Sequence, residues 1–237
     1  MWLSTLQTAV SPSFDANLEK LLSLYHQSKA SLVLAPEVAI TGFCYNRFEE
    51  AAAFGKMAKE QFLRHIGSGA FGVTLIEKEE QHFVNTFYLF SQGKIIHRQR
   101  KHHLFLLGEE DRYFTPGEAR EIQPFLWNGL KVGVLICFEL RFPKLWEQLR
   151  GCDLILVPAQ WGKPRKAHLH KLSEALAITN QTTVLVSDGA SPEMARGSAV
   201  ITPWGDSFRD DRKQLIECSV ELLREQKRVR RAIPLGF

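Results

Sequence analysis

The 237-residue chain has no CxxC pair and no cluster of cysteines; Cys44, Cys137, Cys152 and Cys218 lie far apart. A disulfide framework is thereby excluded. Each thiol is left as a small buried apolar group or a chemical tool in a reducing compartment. No run approaches the roughly 18 apolar residues that a membrane span requires. The opening MWLSTLQTAV lacks the basic start and long apolar stretch of a signal peptide. A soluble, cytoplasmic protein with no membrane partner is the expectation. Internal repeats, low-complexity stretches and linkers rich in Pro, Gly and Ser are also missing, so the length points to one domain over 1–237.

What is present is an ordinary globular balance, 45% hydrophobic and 24% charged, with ample material for a core. The net charge of +4 is concentrated near the end. Residues 223–231 carry Arg224, Lys227, Arg228, Arg230 and Arg231 against Glu225. No aromatics interleave with these cations, so the segment reads as a solvated or partner-docking face and not as a nucleic-acid site.

Apolar segments and helical patterns alternate. Residues 3–8 form a first strand, after which Leu18, Leu21, Leu22 and Tyr25 follow the i, i+3, i+4, i+7 spacing of an amphipathic helix starting near Asp15. Residues 32–35 read as a buried strand stopped by Pro36. A helix is expected over 51–66 and strands over 71–77 and 83–91, with a turn at Gln92-Gly93-Lys94 into a strand over 95–99. Asn128-Gly129 is the strongest hairpin signal, because both residues tolerate positive φ; it joins strands over 124–127 and 130–136. Strands over 153–157, 183–187, 199–202 and 215–219 and helices over 144–150 and 167–181 complete the pattern. The last helix offers Leu169, Leu172, Leu176 and Ile178 to the core. Interleaved strands and helices together with hairpins predict an α/β domain with mixed sheets covered by helices. The stretch 106–123 is a long polar loop, more often functional than accidental in a compact domain.

Three places carry chemistry. Cys137 ends the apolar run VGVLI and precedes FELRFP; backbone N–H groups at such a strand end can lower a thiol pKa and stabilise an oxyanion. Taken alone, it reads better as a buried structural thiol. Glu37 directly follows an apolar strand and a proline, at the sheet edge where α/β proteins place sites, and partial burial would tune it as a general base. The alternative is a capping or solvated carboxylate. Lys101 lies in RQRKHHLF, where five of the six residues from His97 to His102 are basic or potentially so. Such a cluster can simply face water, but a lysine drawn into a cleft beside Glu and Cys stabilises charge on a tetrahedral intermediate.

In this order, LAPEVAITGF, RKHHLF and VGVLICFELRFPKLW resemble the motifs of the nitrilase, or carbon–nitrogen hydrolase, superfamily. The segment beginning DLILVPAQWGKPRK and the GSAVITPWGD segment at 197–206 extend the likeness from the first strand to about residue 220. The resemblance implies a four-layer α-β-β-α sandwich with mixed sheets, a Glu37-Lys101-Cys137 triad and thioester chemistry on an amide, less often a nitrile. It also implies a second glutamate ahead of a Pro-Gly, matched by Glu110 with Glu109 as the competing register. The implied mechanism has Glu37 as proton carrier and Lys101 with the Phe138 N–H at the oxyanion, and needs no cofactor. CFELRFP looks most like the ω-amidase, Nit-type branch. An N-carbamoyl amino acid amidohydrolase and a catalytically idle binding or scaffold member are the alternatives.

A small linear amide with a distal carboxylate is the expected substrate. Phe138 and Trp161 should line the pocket mouth, with the acidic loop 109–111 on one side and Arg165 as the cation, while Arg141 braces the turn. A homodimer or larger homo-oligomer should form through helices 144–150 and 167–181 and the tail after Val220. Two departures stand out: Leu176 and Thr179 replace a charged Arg…Glu pair common among relatives, and the tail ends basic and then apolar. No metal is expected, because His102 and His103 on a strand would point to opposite faces, and His168 and His170 diverge on a helix by about 200°.

Overall fold

The computed structural model describes residues 1–236. The chain opens with β1 (Trp2–Leu6), α1 (Phe14–Gln27), β2 (Leu32–Leu34) and α2 (Phe48–His65), followed by the meander β3 (Ala70–Glu79), β4 (His82–Ser91) and β5 (Lys94–Arg100). A second set comprises β6 (Phe125–Trp127), β7 (Leu130–Val134), α3 (Pro143–Gln148), β8 (Leu154–Pro158), α4 (Lys166–Asn180) and β9 (Thr183–Ser187). It ends with β10 (Ala199–Ile201), β11 (Ser207–Phe208), β12 (Leu215–Ser219) and α5 (Leu222–Ala232).

Two six-stranded sheets result, ordered β12-β1-β2-β3-β4-β5 and β11-β10-β9-β8-β7-β6. Each has a parallel core, β1-β2-β3 and β7-β8-β9, extended by antiparallel strands. Period-two alternation sets the layers. On β2, β3 and β4, Val33, Phe71, Val73, Tyr88 and Phe90 face α1 and α2, where they meet Leu18, Leu21 and Phe62. Leu32, Leu34, Phe87 and Leu89 point the other way, into the space shared with Val132, Val134, Leu154 and Leu156. Leu145, Trp146, Leu169 and Leu176 of α3 and α4 cover the second sheet. This is the α-β-β-α sandwich expected from the sequence. Polar stitches cross between the sheets as well: Thr5 Oγ1 donates to the Val186 carbonyl and Ser187 Oγ to the Leu6 carbonyl, both at 2.6 Å.

Ser13 caps α1 by accepting the Ala16 N–H at 3.2 Å. Asn128 and Gly129 take φ of 48° and 76° between β6 and β7, as a two-residue hairpin demands. Several expectations need correction. Ile178 is 52% exposed and packs over Gly205 instead of entering the core. The loop 106–123 is not wholly irregular, since it contains 3₁₀ turns at Leu106–Gly108, Glu110–Arg112 and Ala119–Glu121. The short β11 and the full length of α5 carry too few apolar residues to have been marked in advance. Among the described residues no helix is long and apolar enough to cross a membrane.

Candidate active site

The parallel strands β2, β7 and β8 and the antiparallel β5 end near one point, where the two sheets meet. Glu37 follows β2, Lys101 follows β5, Cys137 lies three residues past β7 and Gln160 two past β8. Backbone bonds hold these ends in place. The Glu37 N–H donates to the Ala159 carbonyl at 3.2 Å, Lys101 N–H to Asn85 O at 2.8 Å, and Leu135 N–H to Leu156 O at 2.9 Å. A crevice beyond the carboxyl ends of strands is where such sheets leave room for chemistry.

Lys101 is 1% exposed and Glu37 wholly buried. The Lys101 Nζ donates to Glu37 Oε1 at 2.7 Å and lies 2.8 Å from Glu110 Oε2 and 2.9 Å from Oε1. Burial alone would push the ammonium down, yet the two carboxylates hold it well above the ordinary lysine value. Glu110 is raised, first by burial and further by Glu37, against the pull of Lys101. It also accepts the Phe105 N–H at 3.0 Å, which ties the loop to the site. Glu109 takes φ of 57° and turns outward to Arg112 at 2.6 Å, so Glu110 turns in.

Glu37 Oε1 also receives the Asn85 Nδ2 at 2.9 Å, whereas Oε2, equally buried, has no hydrogen-bond partner among the described residues. A buried carboxylate oxygen without a donor is costly unless something arrives to use it. Cys137 begins a 3₁₀ turn, Cys137–Arg141, at φ of 51°, a left-handed conformation that costs about 1–3 kcal/mol for a non-glycine residue and marks functional sites. The turn precedes α3, which begins at Pro143, close to the expected helix over 144–150. The Gln160 N–H donates to Cys137 Sγ at 3.5 Å. The expected lowering of the thiol pKa does not occur. Burial, then Glu37, push it well above its usual value, and Lys101 and the Gln160 N–H only partly oppose them. The resting group is a neutral thiol, and attack requires a neighbouring base.

A small cavity at Cys137 is lined by Phe105, Phe138, Arg141, Gln160, Trp161 and Arg165. A larger, more open recess shares Cys137 and Arg165 and reaches Glu37, Tyr45 and Glu110. The expected Phe138, Trp161 and Arg165 are therefore brought together with Cys137, and Arg165 with Glu37 as well. Of the acidic loop, Glu110 lines the recess, Glu109 turns out to Arg112, and Asp111 lines neighbouring grooves, one of them shared with Phe105 and Phe138. Arg141 does not brace its turn. Its guanidinium lies 4.6 Å over the Trp161 ring, with Nη2 3.1 Å from His168 Nδ1. Arg165 lies over the Phe105 ring at 5.2 Å and, although it opens α4, makes no side-chain cap. Among the described residues neither arginine is paired with a carboxylate.

Asn85, Gln160 and Glu139 escaped the sequence reading. Asn85 is a polar residue beside Thr86 in the otherwise apolar and aromatic FVNTFYLF, a signal that was available. Gln160, whose Nε2 donates to the Glu37 carbonyl at 2.9 Å, carried none. His102 and His103 lie past β5, not on it, so their rings are not on opposite faces but touch, with centroids 4.4 Å apart. Among the described residues no group of three potential ligands gathers to hold a metal.

A family model described as carbon-nitrogen hydrolase matches residues 3–213. The chain is 30% identical to the 2-oxoglutaramate amidase of Bacillus subtilis over 87% of its own length and 83% of that protein's. It is likewise 30% identical to the omega-amidase YafV of Escherichia coli, over 81% and 75%. An amidase from Nesterenkonia sp. shares the fold, with a TM-score of 0.83 at 21% identity over 93% of this chain and 90% of that one. With that family signature spanning both sheets and every strand-end residue described above, the chain belongs to the carbon-nitrogen hydrolases.

Proposed function

We propose that the chain hydrolyses a small linear amide bearing a distal carboxylate, an ω-amidase-type reaction passing through a thioester on Cys137. The observation that carries this reading is the unpartnered Glu37 Oε2, buried in the site that also holds the neutral Cys137 thiol, while Oε1 is fixed by Lys101 and Asn85. Glu37 takes the thiol proton as sulfur attacks the amide carbonyl. Lys101, charged and backed by Glu110, meets the developing oxyanion together with the Phe138 N–H. Glu37 then returns the proton to departing ammonia, and later activates water against the thioester. The names of the two 30%-identical relatives support the ω-amide choice. So does the cavity, where Arg141 and Arg165 offer charge without an internal counter-ion beside the apolar Phe105, Phe138 and Trp161.

The copy number belongs to the same reading: a homodimer docks through α4 and α5. Exposed Ile178, Trp204 and Leu223 support this, joined by the Gly205 contact of Ile178 and the 3.2 Å bond from Trp204 Nε1 to Glu225. The deciding experiment measures ammonia release from ω-amides of dicarboxylic acids, their neutral analogues, nitriles and N-carbamoyl amino acids. Mass spectrometry of Cys137 runs alongside it. Preference for the acidic ω-amide with an acyl adduct on Cys137 is expected. Preference for the carbamoyl compounds, or no turnover of any member, overturns the reading.

A further inference from the structure

Glu139 is wholly buried and takes no part in the chemistry proposed above. Its two oxygens are spent on backbone. Oε2 accepts the Ile136 N–H at 2.6 Å, and Oε1 accepts the His102 N–H at 2.6 Å and the His103 N–H at 3.4 Å. Ile136 immediately precedes Cys137, and His102 immediately follows Lys101. The two segments come from different sheets, from β7 and from β5. Glu139 N–H also donates to the Ile136 carbonyl at 3.0 Å, so residue 139 grips residue 136 through main chain and side chain alike, with Cys137 inside the loop.

We infer that Glu139 is a positioning residue: its one carboxylate ties the backbone beside the nucleophile to the backbone beside the lysine and so fixes the distance across which they act. This rests on the Cys137 and Lys101 assignment above. Three physical points support it. Cys137 at φ of 51° persists only where its surroundings over-determine it, and the bond to Ile136 N–H does so on the strand side. A carboxylate buried at 0% exposure is tolerated only when donors satisfy it, and here the donors are the main-chain groups that need placing. Lys101 and Cys137 depart from separate sheets, so their separation is set wherever those sheets are joined near the site, and Glu139 makes such a join within one residue of each. Burial pushes Glu139 up to about 7, against the opposing N–H bonds and the Lys101 charge, as expected for a carboxylate held for placement at a cost.

The test is Glu139→Gln, which keeps shape but sets an NH₂ group against an N–H donor on one side. Turnover is measured per reactive site, with Cys137 counted by mass spectrometry after iodoacetamide labelling. Misplacement by about 1 Å costs on the order of 10²-fold. The expectation is therefore that kcat per labelled site falls about 30- to 100-fold while KM stays within about threefold. A residue that merely supports the fold would lower the number of reactive sites and leave turnover per site unchanged. A per-site kcat within about threefold of wild type overturns the inference. The labelling rate of Cys137 is read independently of any substrate, so an error in the proposed reaction leaves this arm standing; it too should fall about tenfold or more. If the variant is insoluble, amide hydrogen exchange on the wild-type enzyme decides. Protection of Ile136 and His102 equal to that of β7 supports the tie, and exchange within the first minute removes it.

Discussion

Asn85 donates its Nδ2 hydrogen at 2.9 Å to the same Glu37 oxygen, Oε1, that Lys101 holds at 2.7 Å. Two donors on one oxygen turn the other outward to the reaction. Glu37→Gln places an amide where a proton must be accepted, and kcat/KM should fall about 10²–10⁴-fold without acyl-enzyme formation. Asn85→Ala leaves the base in place but looser, with a loss of about tenfold, mostly in kcat. Stopped-flow and intact-mass measurements on an activated ester check both; a normal thioester burst in Glu37→Gln would exclude the carboxylate as the base.

Cys137→Ala should abolish turnover and keep the fold. Because Cys137 occupies φ of 51°, Cys137→Gly should be equally inactive yet more stable than Cys137→Ala by about 1 kcal/mol. Thermal unfolding of the two variants makes the comparison. Equal stability would show that the left-handed backbone is not strained at this residue.

The Glu139 carboxyl, pushed up to about 7 chiefly by burial, titrates in a range where an ordinary glutamate near 4.3 is fully ionised. A group raised in the folded state favours folding while protonated, and that contribution is lost as pH rises through 7. Wild type should accordingly lose about 3 kcal/mol relative to Glu139→Gln between pH 4.5 and 8. Lys101 stays charged throughout this window, and the raised Asp188, at about 6, contributes equally to both proteins. Urea titrations at half-unit pH steps read the difference directly, and parallel curves would contradict it.

Arg165→Ala and Arg141→Ala should each cost about 1.5–3 kcal/mol on a carboxylate-bearing amide, one to two decades in kcat/KM, and little on the matching neutral amide. Equal losses on both substrates would remove that arginine from recognition and leave Glu37, Lys101 and Cys137 untouched.

Light scattering at micromolar concentration should return a particle of at least twice 27.0 kDa. Ile178→Asp, placed on the exposed end of α4, should shift it toward the single-chain mass. A 27.0 kDa wild-type particle would reject the docking of α4 and α5.

What the sequence determined by itself is local: the strand–helix alternation, the Asn128-Gly129 hairpin, the start of α1 near Asp15, and the placing of Glu37, Lys101 and Cys137 at strand ends. These follow from hydrophobic period and turn chemistry, which act over a few residues. Tertiary structure decided what depends on distance between segments. Ile178 keeps helical period yet faces outward, because α4 buries a stripe narrower than its apolar pattern. The choice of Glu110 over Glu109 hangs on one left-handed φ. The rise of the Cys137 thiol comes from burial that no neighbouring residue in the chain announces. Asn85, Gln160 and Glu139 enter the site from β4, from beyond β8 and from the turn after β7, and only the meeting of two sheets brings them to the Glu37 carboxylate, the Glu37 carbonyl and the N–H groups of Ile136 and His102.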